Sequence, residues 1–218
     1  MRDVMDRLAG WWANGHRVAI GTVIQTWSSA PRAPGAAMLV GPDGEAVGSV
    51  SGGCVEGAVY AVAERVLAGD PPSLEHYGVS DDEAFAVGLT CGGTIEVFVE
   101  AVDRDSFPAL KAIADDVAER RPVAIATVVD GPGRLAEHLV IRPGSRDGSL
   151  GSERLDDAVT DDARGMLDQG MTGLRRYGPH GERRGDELGI FVQSFTPPPR
   201  MLVFGAIDFA SAVARVGA

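Results

Sequence analysis

One apolar hexapeptide occurs twice in this chain. Val18-Ala19-Ile20-Gly21-Thr22-Val23 returns as Val123-Ala124-Ile125-Ala126-Thr127-Val128, Val47-Gly48-Ser49 has a counterpart in Leu150-Gly151-Ser152, and Leu74 with Tyr77-Gly78 matches Leu174 with Tyr177-Gly178. Self-similarity over such a length constrains the fold more than any single motif, because each copy is one supersecondary unit that must bury an apolar face. Each copy reads as strand, hairpin pair, helix, strand, strand. The halves are expected at about residues 17–102 and 122–196, sharing one core within a body of residues 1–196. The fold class is α/β, with mixed sheets built from the two related halves.

Helical periodicity is clear after the first hairpin of each copy. Val55, Val59, Val62 and Val66 recur at helical spacing, Gly69 can end that helix, and Pro71-Pro72 block its continuation. The second copy places Leu155, Val159, Met166 and Leu167 on one face of a helix from Asp156 to Gln169, with Gly170 at its end. Strand alternation follows the first helix, where Ile95, Val97, Val99 and Ala101 alternate with Thr94, Glu96, Phe98 and Glu100.

Both cysteines adjoin a double glycine, in Ser51-Gly52-Gly53-Cys54 and in Cys91-Gly92-Gly93. A buried structural cysteine needs no such neighbours. Two glycines permit φ > 0 and turn consecutive N–H groups toward one point, which suits a thiol that must meet a bulky anion. The periodicity puts Cys54 in the first helical turn, where the dipole favours a thiolate and free N–H groups suit an oxyanion. Glu56 accepts hydrogen bonds from the preceding backbone or tunes the thiol, and the sequence leaves both roles open. Cys91 lies on a loop entering a strand.

The second copy is an internal control. In place of Ser51-Gly52-Gly53-Cys54 it carries Arg154-Leu155-Asp156-Asp157, and nothing like Cys91-Gly92-Gly93 precedes Leu188 to Phe195. Two carboxylates at a helix start would repel a phosphate, so one ligand per chain is expected. Asp156-Asp157 and Asp161-Asp162 read as first-turn acids and solvated face of that helix. Asp81-Asp82-Glu83 is a weak cation site, and Trp11 and Trp12 read as packing for an N-terminal helix over Met1 to Ala13.

Charge excludes some function classes. Twenty basic against thirty-one acidic residues in 218 give a net charge of −11, with no basic run, which argues against nucleic-acid binding. No apolar run is long enough to span a bilayer, so the reading is no membrane and a cytoplasmic protein whose thiols stay reduced. CxxC is absent, and His16, His76, His138 and His180 have no ligand spacing, which argues against structural zinc. The rival to a binding protein is a thiol enzyme, with Cys54 and Cys91 as a redox pair or Cys54 as a hydrolase nucleophile. A hydrolase would want a histidine base, and local sequence places none beside either cysteine.

Thr26-Trp27-Ser28-Ser29-Ala30-Pro31-Arg32-Ala33-Pro34-Gly35 reads as an ordered loop with Arg32 exposed. Its hydroxyls and guanidinium either serve an anionic ligand or leave Arg32 paired with a surface carboxylate.

Three segments together resemble a known family. Ser28-Ser29-Ala30-Pro31-Arg32 with Gly35, Gly48-Ser49-Val50-Ser51-Gly52-Gly53-Cys54-Val55-Glu56, and Leu89-Thr90-Cys91-Gly92-Gly93 are similar to the signatures of the xanthine dehydrogenase accessory factors, the XdhC/CoxI family. The resemblance covers most of residues 1–102. It implies a maturation chaperone that binds molybdenum cofactor (molybdopterin) as cargo. Such a chaperone protects the cargo while a cysteine desulfurase installs the sulfido ligand, then hands it to an apo-molybdenum hydroxylase such as xanthine or carbon monoxide dehydrogenase. The cargo carries a phosphate, a polar pterin and a dithiolene-bound metal. Arg32 can supply the cation and Gly52, Gly53, Gly92 and Gly93 backbone donors, and Ser51 and Glu56 belong to the same cofactor-binding set. Cys54 or Cys91 can supply a thiolate, and Cys54 is the candidate molybdenum ligand.

The family's usual second part is a Rossmann-like domain. Pro197-Pro198-Pro199 looks like its linker, expected at residues 197–200, and Met201-Leu202-Val203-Phe204-Gly205 like its first strand, in a stub of residues 201–218. Gly205-Ala206-Ile207-Asp208-Phe209-Ala210 keeps one glycine of the dinucleotide fingerprint, so no nucleotide binding is expected there. Phe209, Val213 and Val216 would leave apolar surface exposed. The expectation is a shortened chain, or a tail docked on its own body or on a second subunit. A homo-oligomer is expected.

Overall fold

The computed structural model describes residues 1–78, 92–132, 134–197 and 201–217. The first copy contributes β1 (Val18–Trp27), β2 (Ala37–Val40), β3 (Ala46–Gly48), β4 (Ser73–Tyr77) and β5 (Thr94–Val102), in the order β3-β2-β1-β5-β4. The second contributes β6 (Val123–Asp130), β7 (His138–Ile141), β8 (Arg146–Gly148), β9 (Gly173–Tyr177) and β10 (Leu188–Phe195), in the matching order β8-β7-β6-β10-β9. Every pairing is antiparallel, which corrects the expected mixed sheets. The reason lies in the connections. Helix α2 (Glu56–Ala68) joins β3 to β4 and α4 (Glu153–Asp168) joins β8 to β9, each linking strands at opposite edges that never pair, so no parallel crossover arises.

Two further helices plug the space between the sheets. Helix α1 (Met5–Ala13) follows a short 3₁₀ turn at Arg2–Val4, and buries Met5, Leu8, Trp11 and Trp12 as packing residues. Helix α3 (Leu110–Ala118) stands before β6 as α1 stands before β1. The duplicated unit therefore opens with a helix, which the strand-first reading of each copy omitted.

Alternation along the central strands sorts side chains between two buried faces. Ala19, Val23, Val97 and Val99 pack against Val55, Val59, Val62 and Val66 of the α2 segment, and Ala124, Val128, Ile190 and Val192 pack against Leu155, Val159 and Met166 of α4. On the opposite face Val18, Ile20 and Val102 meet Val123, Ile125 and Phe195 together with α1 and α3. Ile24, Phe98, Val129 and Phe191 complete that layer. The two halves thus share a core between face-to-face sheets. Phe98 and Glu100, which alternate with Val97 and Val99, point at the other sheet, not at water, so Glu100 is buried.

Antiparallel register also corrects the alignment of the copies. Gly48 pairs with Met38 and Gly148 with Leu139, at the same corner of each sheet, with φ of 89° and 91°. Gly48 therefore answers to Gly148, and Val50 to Leu150, in place of the Leu150-Gly151-Ser152 match. The chain offers two Gly-containing candidates there, and sequence similarity chose the one preceded by an apolar residue.

Beyond the second sheet, Met201 to Gly205 forms no strand, contrary to expectation, while α5 (Asp208–Val216) is helical. Leu202, Phe204, Phe209 and Val216 are exposed. No helix among the described residues is long and apolar enough to cross a membrane.

Candidate functional site

The turn between β3 and α2 is shaped by Gly52 and Gly53, with φ of 78° and 117°. Neither would clash at Cβ, so what they contribute is left-handed backbone. The helix starts at Glu56 with Val55 at its N-cap, and Cys54 stands one residue ahead of the cap, not in the first turn as read from the sequence. The Ser51 hydroxyl accepts from the Cys54 and Val55 amides at 3.0 Å each. Cys54 is half-buried and packs against the cluster formed by α2 and the first sheet.

Glu56 fills the turn. Its Oε1 accepts from the Ser49 hydroxyl at 2.6 Å and from the amides of Val50, Ser51 and Gly52 at 3.2, 2.8 and 3.0 Å. Its Oε2 accepts from the Ser51 hydroxyl at 2.5 Å and the Gly53 amide at 2.8 Å. The sequence left two roles open for Glu56, and the structure selects that of backbone acceptor. The Gly52 amide is also shared with the Ser49 hydroxyl at 2.8 Å. The Gly52 and Gly53 donors, expected to face a ligand, are thus engaged within the chain.

This environment makes Glu56 a strong acid. Burial acts upward on its carboxyl, but hydrogen bonds from the Ser49 and Ser51 hydroxyls and the Ser51 amide outweigh it and bring the pKa from 4.5 to about 2. A folded pKa below the unfolded one contributes stability that is fully present above the unfolded value and is lost as pH falls through the folded value. The stability difference between wild type and Glu56→Gln should therefore be constant above about pH 5 and shrink toward zero near pH 2. Urea unfolding across that range checks it; a difference that does not change with pH would contradict the assignment.

The second copy shows what the turn looks like without the double glycine. Gly151-Ser152-Glu153-Arg154 occupies the place of Ser51-Gly52-Gly53-Cys54, which corrects the pairing with Arg154 to Asp157. Asp156 answers to Glu56, and accepts from the Leu150 amide at 2.7 Å as Glu56 accepts from Val50. It is buried, not part of a solvated face. Helix α4 starts at Glu153, earlier than the expected Asp156, because Ser152 caps it by accepting from the Leu155 amide. Arg154, the counterpart of Cys54, lies inside the helix.

The family-like segments converge in the first half only. A Cβ on Gly93 would lie 2.6 Å from the Ser29 carbonyl oxygen, so the Gly92-Gly93 turn rests directly on the loop from Ser28. Ala30 of that loop and Cys54 pack against the same apolar cluster. Gly92 has φ of 74°. Thr26 and Trp27, read as loop, belong to β1. Arg32 pairs with Asp3 at 3.1 Å, the surface-carboxylate alternative raised by the sequence. Cys91, Leu89, Thr90 and Asp81-Asp82-Glu83 lie outside the described residues.

Sequence reasoning passed over a second polar constellation, between the sheets. His138 Nε2 lies 3.0 Å from Glu100 Oε2, with both side chains buried, and the imidazole stacks on Phe107. Thr22, Thr127 and Gln193 line the same cavity of about 30 Å³. Glu100, His138, Thr22, Thr127 and Gln193 sit on the strand faces turned toward the other sheet, where α1, α3 and Phe107 help to close the cavity.

The model of the XdhC and CoxI family matches residues 11–78 and 117–178. The chain is 26% identical over 192 residues to a probable xanthine dehydrogenase subunit of Bacillus subtilis (strain 168), covering 86% of this chain and 52% of that one. It is 31% identical over 112 residues to the molybdenum cofactor insertion chaperone PaoD of Escherichia coli (strain K12), covering 51% of this chain and 34% of that one. The crystal structure of a xanthine dehydrogenase from Bacillus halodurans superposes with a TM-score of 0.66 at 25% identity, over 97% of this chain and 59% of that one. The chain spans about half or less of the length of these curated relatives. Each matched segment runs from the end of a leading helix, α1 or α3, to the residue after an edge strand, β4 or β9, so the family model reads both halves of the fold. The chain belongs to the XdhC and CoxI family.

Proposed function

We propose that this protein is a maturation chaperone for a molybdenum hydroxylase. It binds molybdenum cofactor as cargo, shields it while a cysteine desulfurase adds the sulfido ligand, and delivers it to an apo-hydroxylase of the xanthine or carbon monoxide dehydrogenase type. The observation that carries this reading is the one-sided site: in the first half the Gly92-Gly93 turn rests on the Ser28 loop, and Cys54 packs on the same apolar cluster as Ala30 of that loop, while the second half keeps the scaffold with Arg154 in place of the thiol. Similarity to a molybdenum cofactor insertion chaperone supports the choice of cargo.

The residues present fit such a cargo in part. A half-buried thiol beside a helix start offers a soft ligand to molybdenum, and Arg32, whose exposed pair with Asp3 is weak, can turn to an anion. The Gly52 and Gly53 amides do not reach the cargo's phosphate while Glu56 holds them. Cys91, Gly92 and Gly93 complete the proposed contact surface.

The test is co-purification from a host that makes the cofactor, with molybdenum and pterin assayed after chromatography. Wild type should retain one equivalent per chain. Cys54→Ser should lower retention about tenfold, a loss of about 1.4 kcal/mol in binding, with little change in stability because serine is near-isosteric. Wild-type protein without pterin, or equal retention in Cys54→Ser, would overturn the reading.

A further inference from the structure

We infer that Glu56 is the positioning residue of this site, the group that holds Cys54 ahead of helix α2; the inference rests on the reading of Cys54 as the residue that meets the cargo. A double glycine before a helix suggests an open cradle for a ligand's phosphate. Here the cradle already contains an anion, supplied by the chain. Four amides and two hydroxyls between Ser49 and Gly53 converge on the Glu56 carboxylate. A phosphate brought to the same amides would meet that charge at contact distance, and like charges there repel. The glycines therefore shape backbone around a resident carboxylate, and the cargo's anion is met by other groups.

The second half is an independent control on this assignment. Its turn keeps an acid at the matching position, but Asp156 is one methylene shorter, and the amide that bonds it is that of Leu150. No double glycine precedes it. Helix α4 then begins at Glu153, three residues earlier than the equivalent start of α2, and Arg154 lies within it. Where the longer acid and the two left-handed glycines occur together, the helix start moves back and the residue in the Arg154 position becomes Cys54, outside the helix. The common feature, an acid bonded to the amide after the Gly-Ser corner, anchors the turn in both halves. What Glu56 adds is the wrapped loop, and with it the placement of the sulfur.

The experiment compares Glu56→Gln, Glu56→Asp and Asp156→Asn in the full chain. It reads the alkylation rate of Cys54 by iodoacetamide, resolved by mass spectrometry, beside the thermal midpoint and the bound pterin. A glutamine in the nest turns an NH₂ group against amide donors, so the loop opens and Cys54 loses its packing. We expect Cys54 to alkylate about tenfold faster in Glu56→Gln, with pterin retention reduced about fivefold. Glu56→Asp, which keeps the charge on a shorter stem, should fall between this variant and wild type. Asp156→Asn should lower the thermal midpoint while leaving the Cys54 rate within about twofold of wild type, since it loosens only the other half. A Cys54 rate that moves no more in Glu56→Gln than in Asp156→Asn would overturn the positioning role and leave Glu56 a turn anchor like its counterpart. Should Glu56→Gln fail to fold, the comparison of Glu56→Asp with Asp156→Asn decides by the same criterion. Alkylation needs no cargo, so wild-type protein that binds no pterin would overturn the proposed function alone, and an unmoved Cys54 rate would overturn this inference alone.

Discussion

Replacing His138 by alanine is expected to lower stability by about 3 kcal/mol, because it empties the space of a buried aromatic ring and leaves a buried Glu100 oxygen without its polar neighbour. His138 and Glu100 belong to different halves and face each other between the sheets, with side-chain exposures of 7% and 10%. Nε2 to Oε2 is 3.0 Å, which meets the distance of an ion pair but not the alignment of a hydrogen bond, and Oε2 accepts no hydrogen bond among the described residues. The imidazole is therefore the polar group set against that oxygen. Alanine removes it, and also removes the ring stacked on Phe107 with centroids 4.0 Å apart and planes 8° from parallel. Replacing both residues with leucine should recover most of the loss, because an apolar pair carries no desolvation penalty. Urea unfolding of the two single variants and the double variant measures the coupling. A loss below about 1 kcal/mol in His138→Ala would mean that solvent or a neighbour compensates Glu100.

The second large effect is expected at the sheet corners. A Cβ on Gly48 would lie 2.4 Å from the Ala37 carbonyl oxygen and 2.7 Å from Val4 Cγ1, at φ of 89°. The corresponding Cβ on Gly148 would lie 2.4 Å from the His138 carbonyl oxygen. Backbone cannot yield there as a flexible side chain can. Gly48→Ala and Gly148→Ala should each lose about 3 kcal/mol, combining left-handed strain with overpacking. Gly52→Ala is the comparison, since its Cβ meets nothing within 4 Å. It should lose only about 1 kcal/mol, from backbone conformation alone. Gly48 differs from Gly148 in its consequences, because Ser49 beside it donates to Glu56; Gly48→Ala should therefore also accelerate Cys54 alkylation, and Gly148→Ala should not. Similar losses at Gly48 and Gly52 would show that the close carbonyl moves aside.

Much of the scaffold was legible because its signals are local. The two hexapeptides became the central strands β1 and β6, and the valines from Val55 to Val66 became the buried face of α2, capped at Gly69 in the left-handed region. The leading helix of the second copy was legible and passed over, since Leu110, Ile113, Ala114 and Val117 recur at helical spacing as Met5, Leu8 and Trp12 do in the first. Glu100 and His138 could not be placed in this way. A charged residue alternating with apolar ones on a strand reads as solvent-facing, and nothing within one half tells that the other half covers it.

The candidate site divides along the same line. Sequence alone singled out Cys54, the double glycines and the Ser28 to Arg32 loop, because residue types that permit left-handed backbone and carry reactive or charged groups stand out wherever they occur. It also singled out the asymmetry between the copies, though it misplaced the equivalence by one turn. Tertiary structure alone decided that the sheets are antiparallel, that Gly93 rests on Ser29, and that Glu56 occupies the turn it follows. Glycines admit many backbone paths. Only the docking of Val55 and Val59 into the core, a contact between residues distant in sequence, selects the path that wraps the carboxylate and leaves the sulfur of Cys54 ahead of the helix.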